Sequence, residues 1–235
     1  MDRAEVNTPE RHAATSVSRR CGASRHAGFT LIELVIAVAL IAAFTALGAG
    51  KLGRWREAEV VKSAIRNAQG AFSLARSEAR RTGNNHIVFL MEDMAGNDLQ
   101  DPGGNQVPIL VLDDGRPGSA NQNCVIDVGE TIHPIRLKRN VGWGADEATA
   151  KVGIDEGNTA YTSGSTFDDS GGNPATWVLF RPDGTPRAVS TACAQGALGS
   201  GGGGIYLKSS IRDAAVVLTP LGATRVFVWG GGTWH

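Results

Sequence analysis

The stretch that decides the fold is residues 28–50: Gly28-Phe29-Thr30-Leu31-Ile32-Glu33-Leu34-Val35-Ile36, continuing as AVALIAAFTALGAG. From Phe29 to Gly50 the one charged residue is Glu33. A helix over this run rises about 33 Å, which matches a bilayer hydrocarbon core of roughly 30 Å. A basic segment followed by an apolar one also reads as a cleavable secretory signal. Three features separate the two readings. The run exceeds the usual apolar region of about 7–15 residues in such signals. Its carboxylate lies one turn in, where a charge costs on the order of 2.5–3.5 kcal/mol. The helical pattern also continues past Gly50. Arg19-Arg20 after Ser18 suggests a twin-arginine signal, but Cys21-Gly22-Ala23 lacks the apolar continuation.

A carboxylate in an apolar helix needs a partner. A cut after Gly28 gives Phe29 a free α-amine, and Glu33 lies four residues on, along the same helix face. In an assembly, the amine of one subunit would neutralise Glu33 of the next inside the lipid. The positive-inside count does not orient the segment, because Arg11, Arg19, Arg20 and Arg25 precede it while Lys51, Arg54, Arg56, Lys62 and Arg66 follow.

Outward from this stretch the chain is unevenly charged. The 235 residues hold 23 basic and 23 acidic side chains. Residues 1–28 carry five arginines against three acids, a net +2, and residues 29–83 carry eight bases against four acids, a net +4. Residues 84–235 hold the remaining ten bases against sixteen acids, a net −6, together with 24 of the 31 glycines. The neutral total is a cancellation between a leader (1–28), a transmembrane and stem helix (29–83) and an acidic head (84–235).

Beyond Gly50, Trp55, Ala58, Val61, Ile65, Ala68, Phe72, Ala75 and Ala79 recur at spacings of three and four, predicting an amphipathic helix. Arg54, Lys62, Arg66, Arg76 and Arg80 fall mostly off this stripe and read as a solvated face. Arg80-Arg81 before Gly83-Asn84 is a stop signal. The head reads as short strands at His86–Glu92, Pro108–Leu112, Ile132–Leu137, Trp177–Phe180, Ile205–Lys208, Ala215–Leu218 and Arg225–Trp229. Pro182-Asp183-Gly184 predicts a hairpin between Trp177–Phe180 and Arg187–Ser190. Gly199–Gly204 and Asp168–Asn173 read as flexible loops. A long helix followed by an antiparallel β head is an α+β arrangement.

The stretch Gly28 to Ile36 resembles the cleavage signal of type IV prepilins and type II secretion pseudopilins. That resemblance implies a type IV pilin-like fold, cleavage after Gly28 by a prepilin peptidase, N-methylation of Phe29 and a role for Glu33 in filament assembly. It also places the leader in the cytoplasm and the head in the periplasm, on a single-pass inner-membrane anchor. Leu74-Ala75-Arg76-Ser77-Glu78-Ala79, Asp127-Val128-Gly129-Glu130, Phe180-Arg181-Pro182-Asp183-Gly184 and Leu218-Thr219-Pro220-Leu221-Gly222 are similar to the GspH/FimT group of that family. This implies a minor pseudopilin of type II secretion, partnered by other pseudopilins and by secreted cargo. A minor type IV pilin serving pilus priming or DNA uptake is the alternative, and an ordinary secreted β-rich protein is a second one.

No cofactor and no catalysis are expected. Gly199-Ser200-Gly201-Gly202-Gly203-Gly204 satisfies G-x-G-x-x-G but precedes a strand instead of opening a helix. Asp113, Asp114, Asp127 and Glu130 are weak candidates for calcium, which takes 6–8 oxygens, since they lack the helix–loop–helix spacing and turns use Asp anyway. Cys124 and Cys193 would survive leader removal and are free to pair in an oxidising periplasm, whereas Cys21 leaves with the leader. The DNA-binding subclass of the family carries a C-terminal G-R-x-R. Here Gly222-Ala223-Thr224-Arg225 has alanine at the first arginine, and an acidic head disfavours nucleic acid as a partner.

Overall fold

The structure, a computed structural model, describes residues 29–138 and 140–235, with the side chains of 47–54 set aside. The expected leader, with Gly28 and Cys21, lies outside the described residues. Two compact units are distinguished, one reaching to Ala46 and the other running from Leu47 to His235. The stem half of the helix therefore clusters with the head.

Helix α1 spans Leu31–Thr82. Within the first unit, every described residue from Phe29 to Ala46 is exposed. In the second unit, Val61, Ala64, Ile65, Ala68, Ala71, Phe72, Ala75 and Ala79 form a buried stripe. The stripe is mostly alanine, which lets the helix sit close to the sheets, and Phe72 supplies the bulk. Its ring meets Phe167 edge-on at 5.9 Å and Phe180 at 6.4 Å between centroids. Trp55, the first residue of the expected stripe, is exposed instead. The helix ends in a left-handed cap: Gly83, at φ 73°, donates its N–H to Ala79 O at 3.1 Å.

Among the described residues, ten strands form two antiparallel sheets. These are β1 (His86–Leu90), β2 (Ile109–Asp113), β3 (Ile132–Ile135), β4 (Gly142–Trp143), β5 (Trp177–Phe180), β6 (Pro186–Arg187), β7 (Gly203–Lys208), β8 (Asp213–Leu218), β9 (Thr224–Gly230) and β10 (Thr233–Trp234). One sheet runs β3-β2-β1-β5-β6 and the other β10-β9-β8-β7-β4. The expected hairpin is β5–β6, with Phe180 opposite Pro186. The α+β, pilin-like architecture is thus the one expected from the sequence.

Central strands β1, β5 and β8 are buried along their whole length. In β8 the period-2 alternation serves two cores. Ala214, Val216 and Leu218 join the main core with the helix stripe, and Ala215 and Val217 pack on the other face with Val152 and Tyr206. Tyr206 brings its hydroxyl inside and keeps it satisfied: it donates to Asp155 Oδ2 at 2.7 Å and accepts the Val152 N–H at 2.9 Å.

Both segments expected to be flexible are ordered, for different reasons. In Gly199–Gly204, a Cβ on Gly201 would overlap the backbone of Pro186 and Arg187, and one on Gly203 would lie 2.5 Å from the Phe167 ring. Those glycines are a packing strip where backbone meets backbone, and the run leads directly into β7. Asp169–Asn173 is one of three copies of a tight hairpin loop, with Asp93–Asn97 and Asp101–Asn105. In each, the Asp N–H reaches the Asn carbonyl and the glycine N–H returns to the Asp carbonyl. The Asp Oδ1 meanwhile accepts the Asn N–H, at 2.9, 2.9 and 2.8 Å in chain order. The shared spacing D-x-x-G-N is visible in the sequence as DMAGN, DPGGN and DSGGN.

Candidate functional site

At the start of α1, Thr30 is the cap and Glu33 the third helical residue. Glu33 N–H donates to Thr30 Oγ1 at 3.3 Å, while Glu33 Oε2 accepts the Thr30 N–H at 3.1 Å and the Thr30 hydroxyl at 3.0 Å. This is a capping box, T-x-x-E, and sequence reasoning that sought a charge partner for Glu33 passed over it. One carboxylate oxygen is engaged locally, and the side chain stays exposed beside Phe29, itself 89% exposed. Leu31, Ile32, Leu34, Val35, Ile36, Val38 and Leu40 are exposed on all sides of the same helix. An apolar surface of that extent marks a membrane or a protein partner.

The far end of α1 holds a second constellation. Arg76 Nη1 donates to Gly222 O at 2.7 Å and its Nη2 to Leu221 O at 3.2 Å, and Arg80 Nε donates to Asp183 O at 3.3 Å. The turns Arg181–Gly184 and Thr219–Gly222 are therefore both docked on one turn of helix. They also touch each other, since a Cβ on Gly222 would lie 3.0 Å from Gly184 O. Both glycines have φ near +80°, and Gly184 passes so close to the Arg80 guanidinium that no side chain fits. Of the two arginines expected on a solvated face, Arg80 is exposed and Arg76 is half-buried, and both donate to carbonyl oxygens. Three stretches that the sequence presented only in order along the chain, around Arg76, Gly184 and Gly222, form one contact.

Cys124 and Cys193 are joined in a disulfide with Cα atoms 5.5 Å apart. Cys193 sits in a Ser190–Ala194 loop of the same build as the D-x-x-G-N loops, in the slot where those have glycine. Its φ is +60°, and that of Cys124 is also +60°. Beside the bridge lies fully buried Asp114. Its Oδ1 accepts the N–H groups of Cys124 at 2.7 Å and Asn123 at 3.3 Å, while Oδ2 faces Cys124 Sγ, which carries no proton. Burial pushes the Asp114 carboxyl up to about 6, against the pull of those two N–H groups.

The other calcium candidates are engaged in turn chemistry. Asp113 accepts from Asn84 Nδ2, Asp127 from Asn123 Nδ2, and Glu130 from the Asp127 N–H. Among the described residues, the one set of three metal-capable groups brought within 4.8 Å is Asp114 with the two bridged cysteines. Among the described residues the four carboxylates form no metal-sized set of their own: Asp113, Asp114 and Glu130 each accept backbone N–H groups, and Asp127 accepts the Asn123 side chain. Arg225 is exposed on β9, and its neighbours Gly222, Ala223 and Thr224 line a groove against α1.

Compared with known families, residues 23–49 match the model of the prokaryotic N-terminal methylation motif. No curated protein and no solved structure matches the chain. The matched motif is that of a type IV prepilin-like N-terminal anchor, consistent with membrane association. Among the described residues, no helix is long and apolar enough to cross a membrane.

Proposed function

We propose that this chain is a minor pseudopilin of a type II secretion system. A prepilin peptidase cuts it after Gly28 and methylates Phe29, and the helix from Phe29 to about Gly50 anchors it in the inner membrane. The subunit then joins other pseudopilins near the tip of a periplasmic filament that helps move secreted cargo outward. The observation that carries this reading is the pairing of a methylation motif with an exposed, apolar helix whose one carboxylate, Glu33, stands four residues from the new amine. In lipid that carboxylate is tolerable when a neighbour's amine compensates it, which makes assembly and charge neutralisation one event. The resemblance of four stretches to the GspH/FimT group favours a minor subunit, and three of them, around Arg76, Gly184 and Gly222, meet in one contact.

Mass spectrometry of the membrane-extracted protein tests the processing. An N-methylated Phe29 terminus is expected, and a terminus near Gly50 overturns the proposal in favour of a conventional signal. Deleting the gene tests the system. Loss of exoprotein release with intact pili and transformation is expected, whereas the reverse pattern assigns the chain to a type IV pilus.

A further inference from the structure

One edge of the second sheet is half open. Strand β9 pairs β8 along Thr224–Val228 on one side, but on the other β10 covers only Trp229 and Gly230. Val228 exchanges both of its backbone hydrogen bonds with His235, at 3.0 and 3.1 Å, so its N–H and C=O point away from β8. Backbone groups alternate along an antiparallel strand, so Val226 and Thr224 also point outward, and no further backbone partner reaches them among the described residues. Arg225 and Val226 between them are exposed. Long free edges of this kind are normally blunted or paired.

The start of this edge forms one wall of a groove of about 530 Å³, whose other wall is the helix face of Ser73, Arg76, Ser77, Arg80 and Arg81, the last paired with Glu78. Among the described residues, neither Arg76 nor Arg80 has a carboxylate within 4.0 Å. Their hydrogen bonds go to neutral carbonyls, two from half-buried Arg76 and one from exposed Arg80, so no carboxylate compensates either charge. Two cations without a carboxylate partner, two serine side chains and Thr224 at the start of the unpaired edge therefore face one groove.

We infer that this groove takes an extended acidic segment from a neighbouring filament subunit, added as a strand to the free edge of β9. Backbone hydrogen bonds to Thr224 and Val226 supply the pairing, and alternate carboxylates of the incoming strand fall toward Arg76 and Arg80. The neighbour as the source rests on the filament reading above; the acidic, extended chemistry rests on the groove alone.

The test uses the full chain in detergent micelles and a fluorescein-labelled peptide, Val-Glu-Val-Glu-Val-Glu-Val, followed by anisotropy. Saturable binding is expected, weakened by added salt. It should be at least about tenfold weaker for Arg80→Gln and for Val226→Pro, which removes one outward N–H. Equal binding of the lysine counterpart Val-Lys-Val-Lys-Val-Lys-Val, or stronger binding of a single-stranded oligonucleotide, overturns the proposal. Should Val226→Pro fail to fold, amide exchange of the wild-type chain decides: peptide must slow exchange at Thr224 and Val226, and unchanged rates overturn it. Phe29 processing is read separately, so failure here leaves the filament reading standing, and failure there leaves this groove's chemistry standing.

Discussion

The guanidinium of Arg76 holds the carbonyl oxygen of Gly222 at 2.7 Å, across 146 residues of sequence. With the second bond to Leu221, this arginine closes the β8–β9 hairpin onto the helix. A planar fork serves two adjacent carbonyls where a lysine ammonium serves one. Arg76→Lys is therefore expected to destabilise the head by about 1 kcal/mol and Arg76→Ala by about 2–3 kcal/mol. Urea denaturation monitored by tryptophan fluorescence measures both, and an unchanged midpoint for Arg76→Ala would remove the junction from the account.

The capping role of Glu33 and the assembly role proposed for it are separated by one substitution. Glutamine preserves the acceptor of the capping box but carries no charge, whereas alanine loses both. If neutralisation of the Phe29 amine drives assembly, Glu33→Gln and Glu33→Ala both leave leader cleavage intact and both fail to enter filaments. Recovery of assembly by glutamine in a shear-and-sediment assay would assign Glu33 to helix capping alone.

The disulfide links residues 69 apart, for which loop entropy corresponds to about 4 kcal/mol. Cys193 also holds a left-handed backbone in a slot that suits glycine. Cys193→Gly loses the bridge but relieves that conformation, so it is expected to be about 1 kcal/mol more stable than Cys193→Ala. Equal melting temperatures for the two variants would contradict the strain at this position.

Asp114 gives the head an unusual pH response. Its carboxyl stays protonated in the folded chain up to about 6, whereas in the unfolded chain it ionises near 3.8. Between those values the folded state holds a proton that the unfolded state has released, so this group's contribution is complete below 3.8 and is lost as pH rises through 6. Buried His86, whose pKa burial lowers, acts oppositely by disfavouring the folded state in acid. Comparing wild type with Asp114→Asn isolates the first effect. The variant should gain about 2 kcal/mol on wild type between pH 4.5 and 7, and parallel stability curves would refute the assignment.

The packing role of the glycine run has its own test. Gly203→Ala drives a methyl into the Phe167 ring and should cost about 1–3 kcal/mol, with no change at the N-terminal motif. A neutral substitution in thermal melts would return Gly199–Gly204 to the status of a loop.

What the sequence determined by itself are the features whose physics is local. The apolar helix with one charge, the alanine-rich stripe ending at Gly83, and the strands with continuous apolar runs are written in neighbouring residues. So is the methylation motif, which is a linear segment of 27 residues, 23–49. The repeated D-x-x-G-N loops are local too, since their hydrogen bonds close within five residues, yet the reading of Asp168–Asn173 as a flexible loop passed over them. Tertiary structure alone decided the rest. Arginines on the helix look the same in sequence whether water or a carbonyl receives them, and Arg76 and Arg80 are assigned only when two turns, 103 and 145 residues away, arrive. Glycines in a row signal flexibility until a strand and a ring close on them. The pairing of Cys124 with Cys193 and the open edge of β9 likewise follow from which backbones meet. Long-range contact is a property of the assembled sheets, and no window of sequence contains it.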